Sequence, residues 1–372
     1  MEKRKWADIL HIVSGKNQKE VQNPNGKYPI YGSGGKMGYA DDYLCEPGTT
    51  IVGRKGTINR PIYVDEPFWN IDTAFGVTPG EGLDSKYLYY FCVHFNFTLL
   101  DKSTGRPSLA KSDLLKIEMP VPLIEEQRRI VSRIEEVFSE LDNSVSTLRK
   151  TKEQLAVYRQ AVLKEAFDSV KDVKNGTRIK DVCNDIKVGI VIKPTQYYVE
   201  SGGVKAFRNA NVRRNYVDDD NWALISKEGQ EKNKKSIVHT DNVVIARSGA
   251  NLGMAAVVPE KCDGFNAIDI VIAELNLNAA DPHYLAYYVN SPYGLHVVNE
   301  YQHGGAQGHL NVKEFGLLPL ILAPLSEQKN IVSEIESRLS VCDSIEHTVD
   351  TALLQAEAMR QSILKQAFEG RL

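Results

Sequence analysis

One stretch of about 43 residues occurs twice in this chain, displaced by about 201 positions, and about 17 of those positions are identical. Glu126-Gln127 stands over Glu327-Gln328, and Ile130-Val131-Ser132 over Ile331-Val332-Ser333. Asp142 stands over Asp343, Arg159-Gln160 over Arg360-Gln361, and Ala166-Phe167 over Ala367-Phe368. A repeat of this kind requires the same structural unit to be built twice.

Both copies read as long helices. Each starts after a proline, Pro122 or Pro324, which suits a helix start and not its interior. No Gly or Pro follows until after Phe167 or Phe368. Ile134, Leu141, Leu148, Leu155 and Val162 recur every seven residues, and the second copy reads Ile335, Cys342, Val349, Ala356 and Ile363. That is a heptad seam. It predicts two long helices packed antiparallel, with each helix capping its own domain as the alternative. The residues expected to carry the packing are Ile134, Leu141, Leu148, Leu155, Ile335, Val349 and Ile363.

The repeat continues weakly upstream. Thr50–Gly56 matches Val243–Gly249, each a strand that delivers an arginine, Arg54 or Arg247, into a glycine turn. Tyr87–Tyr90 and Tyr284–Tyr287 fall on short helices. Ile117–Val121 and Leu318–Leu322 read as short strands. The expected class is α+β, with two globular units at 1–121 and 174–323 and long helices at 122–173 and 324–372.

Enzyme motifs fail where they are tried. Gly32–Gly38 lacks the first glycine and the Ser or Thr of a phosphate loop, and is read as a glycine turn. Asn290-Ser291-Pro292-Tyr293 resembles an adenine-methyltransferase site but lacks a glycine-rich cofactor strand. The eight histidines show no zinc spacing, and Asp218-Asp219-Asp220 is read as a solvated turn. Five scattered cysteines without a CxxC pair suit reduced thiols. No membrane span and no signal peptide are expected, so a cytoplasmic location is.

Basic and amide residues gather in the expected loops: Lys36, Arg54, Lys55 and Arg106 in the first unit, and Arg208, Asn209, Asn211, Arg213, Arg247, Gln307 and His309 in the second. Arginine forks onto guanine and Asn or Gln onto adenine, so these are the expected DNA contacts. Lys plus Arg is 45 against 48 Asp plus Glu, a net charge of -3. Such a balance excludes a simple polycation, and a DNA reader of this charge needs a partner to help hold the phosphates.

In layout and motif the chain resembles the DNA specificity subunits of type I restriction-modification systems. The resemblance rests on Pro122–Val131 with Arg159–Phe167, on their second copies Pro324–Val332 and Arg360–Leu372, and on Tyr28–Gly35 and Ala206–Asn209. It implies two target recognition domains, each reading half of a split sequence in double-stranded DNA, with the helices between them setting the gap. It implies docking of two methyltransferase subunits, which carry S-adenosylmethionine, and of restriction subunits, which use ATP. No cofactor, metal or catalytic residue is then expected in this chain. A coiled-coil adaptor unrelated to DNA, or a stand-alone methyltransferase acting through Asn290–Tyr293, are the alternatives.

Overall fold

The computed structural model describes residues 2–170, 176–300 and 308–372. The chain divides into two compact units. One comprises Met1–Lys150 with Val349–Leu372, the other Thr151–Thr348. The division falls inside both long helices.

Each unit holds the same pair of sheets. In the first unit an antiparallel sheet orders its strands Leu10–Ser14, Ala74–Pro79, Thr49–Gly53, Ile62–Val64. In the second, the order is Cys183–Val188, Ile270–Leu275, Val243–Ala246, Ala255–Val257. A three-stranded sheet accompanies each. Tyr28–Gly32 pairs antiparallel with Gly35–Ala40 and parallel with Trp69–Asn70. Val204–Phe207 pairs antiparallel with Ala223–Ile225 and parallel with Asn266–Ala267. The repeat therefore extends through the globular parts, where the sequence had diverged too far for it to be followed strand by strand. The second unit adds a hairpin, Val212–Arg213 with Tyr216–Val217.

Helix α1 (Ser85–His94) covers the first sheet. Asp84 caps it, accepting from the Lys86 and Tyr87 backbone amides at 3.0 Å. Helix α2 runs Ile124–Asp168. Helix α3 (Pro282–Asn290) repeats α1, with Asp281 as its cap, and helix α4 runs Leu325–Phe368. Helix formers such as Glu, Gln, Leu, Lys and Ala dominate both long helices, and α4 stops where Gly370 takes φ +76°. There the Arg371 amide reaches back to the Gln366 carbonyl at 2.8 Å, a left-handed glycine cap.

Both long helices contribute to both units. Ile130, Val131 and Ile134 of α2 join the core of the first unit, and so do Leu364, Ala367 and Phe368 from the end of α4. Val162, Leu163 and Phe167 of α2 join the core of the second, together with Ile331, Val332, Ile335 and Leu339 of α4. Within each unit the two helices are antiparallel. Arg360 pairs with Asp142 in the first. In the second, Arg159 reaches Asp343 at 2.7 Å and Arg338 reaches Glu165 at 2.9 Å. Each Ala-Phe motif is an anchor. The Phe368 ring packs 5.1 Å from Tyr87 and 5.3 Å from Phe91. Phe167 packs 5.2 Å from Tyr284 and 5.3 Å from Tyr288. Such aromatic pairs add about 0.5–1.5 kcal/mol beyond the area they bury.

The seam is closed more fully by α4 than by α2. Ile335, Cys342, Val349, Ala356 and Ile363 are all buried. Ile134, Leu155 and Val162 are buried too, but Leu141 and Leu148 only half so. The Leu318–Leu322 strand does not form. Pro319 makes only an isolated bridge to Arg178, because the two prolines in Leu318–Pro324 remove donors a ladder would use. Among the described residues no helix is long and apolar enough to cross a membrane.

Candidate nucleic-acid interface

In each unit a central strand ends in the predicted arginine turn. After Thr49–Gly53 the chain turns through Arg54, Lys55 and Gly56, with φ +83° at Gly56. After Val243–Ala246 it turns through Arg247, Ser248 and Gly249, with φ +72° at Gly249. Only glycine takes that left-handed conformation without steric strain.

A second loop is bound to each turn in the same way. Leu109 donates its backbone N–H to the Arg54 carbonyl at 2.9 Å, and Lys55 pairs with Ser108. Leu310 donates to the Arg247 carbonyl at 3.0 Å, and Ser248 pairs with His309. A third segment completes the set. Thr73 accepts from the Arg54 amide at 2.8 Å, and Asp269, the residue before the matching strand, faces Arg247 at 3.6 Å. Thr73 and Asp269 escaped sequence reasoning. Carrying the repeat into Ala74–Pro79 and Ile270–Leu275 would have paired them.

In the first unit the side chains form an open basic rim. The Arg54 guanidinium lies 5.6 Å above the Phe75 ring, half-buried. Lys55 and Arg106 are exposed, with no acidic partner among the described residues. Arg106 packs where a side chain on Gly56 would stand, 2.9 Å from that position. Ser33 donates to the Lys55 carbonyl at 2.8 Å, which brings the glycine-rich hairpin alongside. Lys36, exposed on that hairpin, donates to the Tyr39 hydroxyl at 3.0 Å, and this bond holds its ammonium above its ordinary pKa. Asp101 fixes the Arg106 loop by accepting from the Ser103 and Ser108 amides at 3.0 and 3.1 Å.

In the second unit the same positions form a closed network. Asn209 is fully engaged. Its Oδ1 accepts from the Arg247 amide at 2.8 Å, and its Nδ2 donates to Ser248 Oγ and to the Asp269 carbonyl, both at 3.0 Å. Asn211, 1% exposed, accepts from the Arg208 amide at 3.0 Å and donates to the carbonyls of Asp218 and Asp220. These two amides, expected to face bases, instead fasten the loops that carry the arginines. Arg213 grips Asp218 at 3.1 Å and Asn251 at 3.0 Å. Arg208 donates to the Asn221 carbonyl, and Arg247 lies against His309. The Nε atoms of Arg208 and Arg247 are buried without a partner among the described residues. Gln307 lies outside the described residues.

The aspartate run is engaged as well. Asp219 accepts from Lys261 at 2.7 Å and from Trp222 at 2.8 Å, with Lys205 nearby. The Lys261 hydrogen bond, chiefly, holds its carboxyl down at about 2. Much of this unit's basic charge is thus matched by its own acids. Asn290 is buried, with its Nδ2 on Asn215 at 2.6 Å and on the Ala255 carbonyl at 2.8 Å. The Asn290–Tyr293 tetrapeptide closes α3 against a strand.

The model of the type I restriction modification DNA specificity domain matches residues 1–155 and 172–355. The chain is 24% identical over 357 residues to the type I restriction enzyme EcoBI specificity subunit of Escherichia coli, covering 89% of this chain and 75% of that one. It is 24% identical over 347 residues to the EcoKI specificity subunit of Escherichia coli strain K12, covering 86% and 73%. A chain from work on complex assembly and conformational transition of the type I R-M system has the same fold, with a TM-score of 0.76 at 17% identity over 100% of this chain and 98% of that one. The HsdS subunit from Thermoanaerobacter tengcongensis follows at 0.54 and 16%, over 100% and 97%.

Proposed function

The chain belongs to the type I restriction modification DNA specificity family, and from that premise we propose that each of its two units reads one half of a split target in double-stranded DNA through its arginine turn. The observation that carries this reading is the matched pair of turns at Arg54 and Arg247, each tied to a second loop by the same two backbone links. In the first unit Arg54, Lys55, Arg106 and Lys36 meet the duplex directly. In the second, Arg208, Arg213, Arg247 and His309 form the reading surface, and Asn209 and Asn211 hold it in shape. The unlike loops give unlike half-sites.

The chain acts as an adaptor without chemistry of its own. Methyltransferase subunits, two per chain, bring S-adenosylmethionine, and restriction subunits bring ATP-driven cleavage. The assembly works in the cytoplasm. Support comes from the internal ion pairs of the second unit and the net charge of -3, which leave little free cation for phosphates and call for partners that close on the duplex. Methylome sequencing of cells with and without this chain tests the reading. A single bipartite motif should lose adenine methylation when the chain is deleted. An unchanged methylome would refute the proposal.

A further inference from the structure

In each unit the edge strand of the four-stranded sheet ends beside the arginine turn. Val188, the last residue of Cys183–Val188, pairs with Val271, and Ala246, just before the Arg247 turn, pairs with the neighbouring Ile270. In the first unit Ser14 pairs with Phe75 and Gly53 with Ala74. The segment after each edge strand therefore leaves the sheet at the same end as the arginine turn.

The two segments start on the same backbone links. Gly15 and Lys16 donate their N–H groups to the carbonyls of Ala74 and Asn70 at 3.1 and 3.0 Å. Gly189 and Ile190 donate theirs to the carbonyls of Ile270 and Ala267 at 2.9 and 2.8 Å. Both glycines lie against backbone, where a Cβ would stand 1.8 Å from the Ile71 carbonyl oxygen or 2.5 Å from that of Ala267. Beyond these links the residues part. The first unit continues Lys16-Asn17-Gln18, the second Ile190-Val191-Ile192. Ile190 is buried, but Val191 is 48% exposed and Ile192 79%.

Folding does not call for two apolar side chains at this tip, since the same links hold in the first unit with polar residues in their place. A single exposed isoleucine needs no explanation, but this one is clamped from both sides. On the far side Lys193 takes a left-handed φ of +45°, which residues with a side chain seldom adopt, and Pro194 opens the turn Pro194–Tyr197. The Tyr197 carbonyl then accepts from the Ser226 amide at 2.8 Å, and Tyr198 bridges to Ile225. On the near side the Ile190 carbonyl accepts from the Asp269 amide at 3.2 Å, and Asp269 faces Arg247 at 3.6 Å. One residue thus links the apolar tip to the arginine turn.

We propose that Val191 and Ile192 form an apolar finger that enters the major groove beside Arg247 and selects a thymine by its 5-methyl group, with Ile192 as the reading residue. This rests on the function proposed above and adds a base that the arginines do not read. Arginine recognises guanine through O6 and N7, and among the four bases only thymine presents a methyl group in the major groove. The β-branched isoleucine side chain is stiff, so little freedom is lost when it meets that methyl. The first unit carries Lys16 and Asn17 at the same place and reads no methyl there.

Deoxyuridine differs from thymidine only by that methyl group, which makes the test direct. Duplexes carrying the target motif found by methylome sequencing are made with each thymine replaced singly by deoxyuridine. Their binding is measured with the full-length chain assembled with the methyltransferase subunits of its system, and thermal unfolding checks that the variant chain is folded. For the wild type, uracil at one position should weaken binding about 4-fold, the worth of one buried methyl group. With Ile192→Ser that position should no longer distinguish uracil from thymine, while the other positions keep their wild-type response. A wild type indifferent to uracil at every position, or a variant that keeps the full loss, overturns the finger and leaves the function standing. So does a variant that no longer holds the methyltransferase subunits, because the tip is then a protein contact. A wild type that binds duplexes of unrelated sequence equally well overturns both.

Discussion

Gln127 accepts the backbone N–H of Asp84 on its Oε1 at 2.8 Å, and Asp84 is the cap of α1. Its Nε2 donates to the carbonyls of Gly82 and Pro122 at 2.9 and 2.8 Å. Gln328 repeats all of this in the second unit, accepting from Asp281 at 2.8 Å and donating to Ala279 and Ala323. Both side chains are 0% exposed. A single buried amide thus fixes the start of each long helix to the start of the short helix beside it.

Replacing Gln127 with Leu keeps the volume and strands one amide and two carbonyls in the core. Each buried polar group left without a partner costs about 1–3 kcal/mol, so a loss of about 3 kcal/mol or more is expected from urea unfolding. Gln328→Leu should cost a similar amount. A loss below about 1 kcal/mol would mean that water replaces the amide.

Arg54→Ala and Arg247→Ala should relax methylation at one half-site each, the first at one end of the target and the second at the other. A lost arginine fork costs about 1–3 kcal/mol of discrimination against a wrong base. Sequencing of methylated sites from cells carrying each variant reads the outcome. Loss at both ends from a single substitution would contradict the division of labour.

Asn209→Ala separates framework from reading. It removes the acceptor of the Arg247 amide and the donor to Asp269. The expected result is about 1–3 kcal/mol lower stability in thermal unfolding, with the recognised bases unchanged wherever the protein remains folded. A fully stable variant with a new target would make Asn209 a base reader instead.

His94 gives the first unit a pH response. Its ring lies 5.5 Å from that of Phe368, and burial lowers its pKa below the usual 6.5, with Lys365 lowering it further and Glu369 opposing. The unfolded chain therefore takes up a proton at a higher pH than the folded one. The stabilisation is complete above the unfolded pKa of about 6.5 and is lost as pH falls through the lower folded pKa. Unfolding midpoints measured between about pH 7.5 and 5 should fall, and His94→Phe should flatten that slope. An equal slope in the variant would assign it elsewhere.

The repeat, the two long helices, the short helices at Tyr87 and Tyr284 and the arginine turns are legible in the residues alone. These depend on local signals: proline starts, uninterrupted helix formers, a seven-residue period and glycines that need a left-handed backbone. The rest depends on partners far apart in the chain, which come together only on folding. Asn209 and Asn211 have base-reading chemistry, but Arg247, Ser248 and Asp269 stand close enough to engage Asn209 first, and Arg208, Asp218 and Asp220 engage Asn211. Leu318–Leu322 is apolar enough for a strand yet finds only one bridging partner. The seven-residue period marked the seam but not which unit each stretch of it joins. That assignment follows from Phe167 packing on Tyr284 and Phe368 on Tyr87. A hydrophobic anchor is nondirectional, so the sequence shows that it must be buried, and only the fold shows against what.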